Sequence, residues 1–158
     1  MKSLMLVAAL VACGPALAQT AVTPAPSQLD LLTGSNETLR ANKRLVYDFW
    51  REVLEAGQLD SASKYLDEHY IQHNPNVPSG RAGFVEFFGR FAKPVPVAEQ
   101  VRTPLVAITS EGDLVLVSSV RTLPVPGSPG KTYTTTWFDM FRVANGKLVE
   151  HWDSALLK

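Results

Sequence analysis

The chain has 158 residues, 46% of them apolar and 19% charged, with 15 basic side chains against 15 acidic ones. That is the length of one domain, with enough apolar content to bury a core. A formal net charge of zero and a pI near 6.8 exclude the electrostatic footprint of a nucleic-acid binder, and argue equally against a protein that works by holding anionic lipid.

The first residues read as an export signal rather than as part of the fold. Met1-Lys2 gives a short basic start, and Leu4 to Ala12 is an apolar run too short to span a bilayer. Gly14-Pro15 breaks it, and Ala16-Leu17-Ala18 has the small-x-small pattern of a signal-peptidase site. Residues 1–18 are therefore expected to be a signal peptide cleaved after Ala18. Leu10-Val11-Ala12-Cys13 also resembles a bacterial lipobox, so the alternative is a lipoprotein anchored to a membrane through Cys13. Cys13 is the only cysteine, and a chain cut after Ala18 has none. Disulfides, thiolate nucleophiles and Cys-ligated metals drop out together. Export without cysteine fits a bacterial periplasmic or secreted protein.

Residues 19–36 carry prolines and small polar residues without a period, and read as a flexible leader to a domain at 37–158. From Glu37 the pattern turns helical. Leu39, Val46, Phe49, Trp50, Val53 and Leu54 form one stripe, with Ser35 or Asn36 as the cap and Gly57 as the stop. A shorter helix follows, capped by Asp60, with Ala62, Tyr65 and Leu66 facing inward. Tyr70 to His73 reads as a brief strand, ended by Asn74-Pro75-Asn76-Val77-Pro78. A third helix is predicted from Arg81 to Phe91, capped by Ser79, with Phe84, Phe87, Phe88 and Phe91 crowding one side. After Pro94-Val95-Pro96 the period becomes two, giving strands at Val101–Thr109, Asp113–Thr122, Thr132–Val143 and Lys147–Asp153. Helices followed by a meander make an α+β domain, with a curved, mostly antiparallel sheet and three N-terminal helices around a cone-shaped pocket.

The last hairpin carries the chemistry. Tyr133, Thr135, Trp137, Asp139 and Phe141 share one face of their strand, and Val149, His151 and Asp153 share a face of the next. A three-residue loop Ala144-Asn145-Gly146 would set Asp139 opposite His151 and Trp137 opposite Asp153. A two-residue Asn145-Gly146 turn would set Phe138 opposite Asp153 and Met140 opposite His151. The first register gathers Asp139, His151 and Asp153 beneath Trp137 and Phe141. Such a trio among apolar neighbours suits acid/base chemistry on a carbon beside a carbonyl; on a solvated face it would be a cross-strand ion pair. His73 is expected at the cavity mouth, and Tyr70 could add a phenol. His69 and His73 make no metal pair, because that spacing needs a helix; no metal ligands and no cofactor are expected.

Tyr70-Ile71-Gln72-His73-Asn74-Pro75-Asn76, Gly80-Arg81-Ala82-Gly83-Phe84 and the closing stretch from Phe141 to Asp153 resemble SnoaL-like proteins of the nuclear transport factor 2-like superfamily. The resemblance runs from about Leu39 to Asp153. It implies a curved sheet and three helices around a conical pocket. It also implies relatedness to polyketide cyclases that close a ring by aldol condensation without metal or cofactor. Their acid/base aspartate, in a His-x-Asp context on the last strand, matches Asp153 in His151-Trp152-Asp153. A pocket histidine on their preceding strand corresponds to Asp139 here, which departs from the pattern. A protonated aspartate can still donate to an oxyanion, as one does in ketosteroid isomerase.

The first functional expectation is thus a cofactor-free lyase or isomerase of a small, largely apolar carbonyl compound. Asp153 would be the base and acid, with His151 and Asp139 tuning it. His73 would hold the substrate's polar end, Trp137, Phe141 and Trp50 would form the walls, and Tyr70 would contact the ligand. The second is a module that binds a hydrophobic ligand without chemistry. The third is a structural homodimer paired through Phe138, Met140 and Trp152. Polyketide biosynthesis is cytoplasmic, so export favours a different carbonyl substrate or binding alone.

Overall fold

A computed structural model describes residues 19–158. The expected signal peptide, its cleavage site and Cys13 lie outside the described residues. Three α-helices, α1 (Glu37–Phe49), α2 (Ala62–Tyr65) and α3 (Arg81–Gly89), cover one face of a five-stranded sheet. The strands are β1 (Leu66–Gln72), β2 (Leu105–Glu111), β3 (Leu114–Pro124), β4 (Thr132–Ala144) and β5 (Lys147–Asp153), in the order β1-β5-β4-β3-β2. The β2–β5 meander is antiparallel, and β1 joins its far edge parallel to β5.

The helical stripe of α1 buries Val46, Tyr47 and Phe49, and the Asn36 side chain caps the helix by accepting from Leu39 N at 2.9 Å. The expected helix continues past Phe49, but as a wider π-helical turn over Trp50–Glu55. That widening aims Trp50 and Leu54 at the cavity while Val53 stays in the core. Other helix starts differ from expectation. A 3-10 turn, Leu59–Ser61, leads into α2, and neither it nor α2 has a side-chain cap. Ser79 does not cap α3, because its hydroxyl accepts from Gln72 N at 3.0 Å instead.

The β4–β5 hairpin takes neither of the two expected registers. Asn145 (φ 51°) and Gly146 (φ 69°) both adopt left-handed backbone, which makes a two-residue turn pairing Ala144 with Lys147 and Val143 with Leu148. A bulge then intervenes. Arg142 pairs with Glu150, so Val149 is the extra residue, and beyond it Phe141 faces His151 and Asp139 faces Asp153. The expected pairings of Asp139 with His151 and of Trp137 with Asp153 are therefore incorrect. Their consequence survives, because a one-residue turn difference plus a one-residue bulge restores the same face. The bulge also makes Leu148, rather than Val149, the inward residue ahead of His151.

Residues 19–36 lie along the domain. Ala25 N donates to Leu105 O at 2.8 Å, Val22 N donates to Thr134 Oγ1 at 2.8 Å, and a 3-10 turn at Asp30–Leu32 buries Leu32. Tyr47 holds this segment. Its hydroxyl donates to Gln28 Oε1 at 2.7 Å and accepts from the buried Val101 N at 3.1 Å, while Gln28 Nε2 donates to Val101 O at 2.7 Å. Tyr47→Phe strands the Val101 N–H and is expected to lower stability by about 1–3 kcal/mol, read from the urea midpoint. An unchanged midpoint would show that this anchor contributes nothing.

Candidate active site

The concave face of the sheet and the apolar sides of α1 and α3 enclose a cavity of about 1020 Å³. Its apolar wall includes Phe49, Trp50, Phe84, Phe87, Phe88 and Phe141. Strand alternation delivers the polar groups. On β4 Thr135, Trp137, Asp139 and Phe141 point inward, as do His151 and Asp153 on β5 and Tyr70 and Gln72 on β1. Asp139, His151, Asp153, Trp137, Phe141, Trp50 and Tyr70 all line this one cavity.

His73 does not. It continues the β1 alternation one step beyond Gln72, so its ring falls on the convex face of the sheet. There it stacks on Trp152 at 5.1 Å with 6° between planes, and its Nε2 lies 2.8 Å from Glu150 Oε1. Its side chain is 44% exposed, and it is no pocket residue. His73 also depresses the Glu150 carboxyl, ahead of Arg142. Gln72 and Asn74 occupy the places expected of His73. The signal for Gln72 lies in the alternation itself: within Tyr70–His73, Gln72 shares the face of Tyr70 and His73 takes the opposite one.

The trio is closely wired. His151 and Asp139 are 6% and 8% exposed, and His151 Nε2 lies 3.1 Å from Asp139 Oδ1. The other ring nitrogen, Nδ1, lies 2.7 Å from Gln72 Oε1. That oxygen also accepts from Asn74 N at 3.0 Å, which fixes the amide's orientation. His151 Nδ1 is therefore a donor. The contact with Asp139 then holds a single proton, on Nε2 or on the carboxyl, since an imidazole without an Nε2 proton would otherwise face a carboxylate with no donor between them. Phe141 packs on the imidazole, with centroids 4.6 Å apart.

Asp153 is held from outside the trio. Its Oδ2 accepts from Asn74 Nδ2 at 2.6 Å and its Oδ1 from Ala155 N at 2.9 Å. Asn74 is positioned by Asn76, whose N and Nδ2 both donate to Asn74 Oδ1, and Asn76 Nδ2 also donates to Leu156 O. Each carboxylate oxygen accepts up to two hydrogen bonds, so Asp153 keeps lone pairs for the cavity. Asp139, His151 and Asp153 each offer a ligand atom, all within 4.8 Å of one another. A cation held there would have to displace the His151–Asp139 contact.

Tyr70 completes the inner end. The residue is 1% exposed and lines the cavity; its carbonyl accepts from Gly80 N at 2.6 Å, and its hydroxyl makes no hydrogen bond among the described residues. Burial, then the charges of Asp139 and Asp153, push its phenol well above the ordinary 10.0, so it stays a donor. The unfolded chain ionises this tyrosine near pH 10 while the folded chain keeps it protonated. The contribution is therefore complete below pH 10 and is lost as pH rises above it. Tyr65, pushed up by burial and then by its hydrogen bond to Glu52, acts in the same direction. Tyr70→Phe is expected to flatten the alkaline fall in stability by about 1.4 kcal/mol per pH unit, measured by urea unfolding. Equal slopes in both proteins would rule out a buried neutral phenol.

Comparison with known proteins reaches the same architecture. The SnoaL-like domain family matches residues 46–151, and no curated protein matches the chain. Among solved structures, a candidate polyketide cyclase from Acidithiobacillus ferrooxidans is 20% identical, with a TM-score of 0.52 over 77% of this chain and 89% of the other. A candidate SnoaL-like polyketide cyclase from Jannaschia sp. CCS1 is 19% identical, with a TM-score of 0.51 over 77% and 91%. An LEH-like epoxide hydrolase of M. tuberculosis is 15% identical, with a TM-score of 0.51 over 75% and 81%. At these identities the structural likeness speaks for the fold alone. The family match runs from the last turn of α1 to His151 on β5, about two thirds of the chain, and the chain belongs to the SnoaL-like domain family.

Proposed function

We propose that this protein is a cofactor-free lyase or isomerase acting on a small, largely apolar carbonyl compound, with Asp153 as general base and acid. We place it outside the cytoplasm, after removal of residues 1–18. The reading is carried by one observation: Asp153 opens into an aromatic-walled cavity that the buried Tyr70 phenol also lines, its hydroxyl unbonded among the described residues. A carboxylate that removes a proton from carbon leaves charge on the carbonyl oxygen, which a pre-positioned donor must receive. Tyr70 is that donor.

The steps balance within this chain. Asp153 takes the proton from the carbon beside the carbonyl, and the electron pair moves onto the carbonyl oxygen, held by the Tyr70 O–H. The protonated Asp153 then returns its proton to another carbon or to a leaving group, and the carbonyl re-forms. His151 and Asp139 share one proton and fix the inner wall, with Gln72 setting the ring's orientation. They are positioning residues in this scheme. Asn74 and Ala155 orient the Asp153 carboxylate. Water is kept from the enolate by Phe141, Phe84 and Trp50.

The test starts with a thermal-shift screen of the purified protein against ketones, lactones, phenols and sterol-like compounds. A stabilising ketone is then incubated with the protein in deuterated water, and exchange beside the carbonyl is followed by NMR. The wild type is expected to accelerate exchange by about 10²–10⁴-fold, the usual worth of a positioned general base. Asp153→Asn should still bind the ketone and lose the acceleration. Full exchange in Asp153→Asn would overturn the assignment. A ligand bound by both proteins and exchanged by neither would make the pocket a carrier.

A further inference from the structure

We propose that the ligand bears a carboxylate at the end remote from its reacting carbonyl, and that Arg121 at the outer end of the cavity receives it. The inference rests on the reading of Asp153 as the chemical end of the cavity.

The register of β3 on β4 gives the cavity an axis. Val117 pairs with Asp139, Ser119 with Trp137, and Arg121 with Thr135, with Ser119, Arg121, Thr135, Trp137 and Asp139 lining the cavity. Arg121 thus stands four residues along the strand from the position opposite Asp139, about 13 Å at roughly 3.3 Å per residue. The inner end is acidic, carrying Asp139 and Asp153, and would repel an anion. The outer end carries a cation. The cavity is electrically polar along its length.

Arg121 is also available. Among the described residues it forms no ion pair and no side-chain hydrogen bond, whereas Arg51, Arg90, Arg102 and Arg142 form ion pairs and Arg40 and Arg81 donate to backbone carbonyls. Its guanidinium lies over the Trp137 ring at 4.4 Å from the centroid. Stacking places the planar fork without using its N–H donors, which remain free for a carboxylate. Of the basic lining residues, Arg121 and Lys158, only Arg121 stands on the sheet that carries the trio. The cavity's rim is open to solvent, with Phe91 69% and Leu123 38% exposed. An amphipathic chain lying between Asp153 and Arg121 covers that rim and neutralises the cation. A neutral ligand of equal shape does only the first.

The probe pair is 9-oxodecanoate and its methyl ester, which share a terminal-end ketone and differ in the charge at the opposite end. Binding is measured by isothermal titration calorimetry at low and high salt. In the wild type the acid is expected to bind about tenfold more tightly than the ester, or ~1.4 kcal/mol. That advantage should shrink as salt is raised. Arg121→Gln should equalise the two ligands, and Arg121→Lys should keep part of the preference. Asp153→Asn should keep the acid preference while abolishing exchange at the ketone, so failure of the chemistry and failure of the anchor are read separately. An ester bound as tightly as the acid by the wild type would overturn the proposal. So would an acid preference that persists in Arg121→Gln, or no binding of either compound.

Discussion

The bulge at Val149 is the constraint on which the site depends. A strand can present only alternate residues to one face, and the tight Asn145-Gly146 turn fixes which set that is. Continued without interruption from Val143–Leu148, the pairing would send His151 and Asp153 to the convex side. One extra residue between Leu148 and Glu150 reverses the parity. The first half of β5 can then seal the core with Leu148 while the second half turns His151 and Asp153 into the cavity. Packing and chemistry share one short strand because the backbone changes phase between them.

Around that strand, small amides do the positioning. Gln72 and Asn74 reach the trio only because β1 lies parallel to β5 on its free edge, with Gln72 opposite His151. The Gln72 amide receives His151 and the Asn74 backbone on one oxygen, and the Asn74 side chain holds Asp153. Amides suit this task, since they offer donors and acceptors without adding charge to a site that already has two carboxyl groups. Asn76 extends the network to the backbone of Leu156, so the C-terminal segment becomes part of the cavity wall.

The SnoaL-like scaffold supplies a cavity, and the side chains determine its chemistry. Here the cavity joins three kinds of surface: an acidic inner end with a neutral phenol, aromatic walls from the helices, and an arginine on the outer stretch of β3. The likeness of the fold to both candidate cyclases and an epoxide hydrolase shows how little the scaffold alone restricts the reaction. In this chain Asp139 on β4 and the imidazole of His151 on β5 meet at the inner end, 3.1 Å apart.

Much of this was legible in the sequence. The helical stripe at Leu39–Leu54, the change to period two after Pro96 and the His151-Trp152-Asp153 ending gave the fold class and most of the cavity residues. Binary patterning is local, and burial on one face enforces it residue by residue. Three matters were not legible. The side taken by His73 depended on which face of β1 turns to the cavity, which its pairing with β5 decides. The roles of Gln72 and Asn74 depended on contacts made more than seventy residues away. The hairpin pairing depended on a bulge that leaves no mark in the hydrophobic pattern, because it preserves the inward face of His151 and Asp153 while shifting their partners. Sequence by itself determined which residues prefer the interior. Only the tertiary structure decided which of them meet, since pairing across strands is a property of backbone register and not of any single residue's polarity.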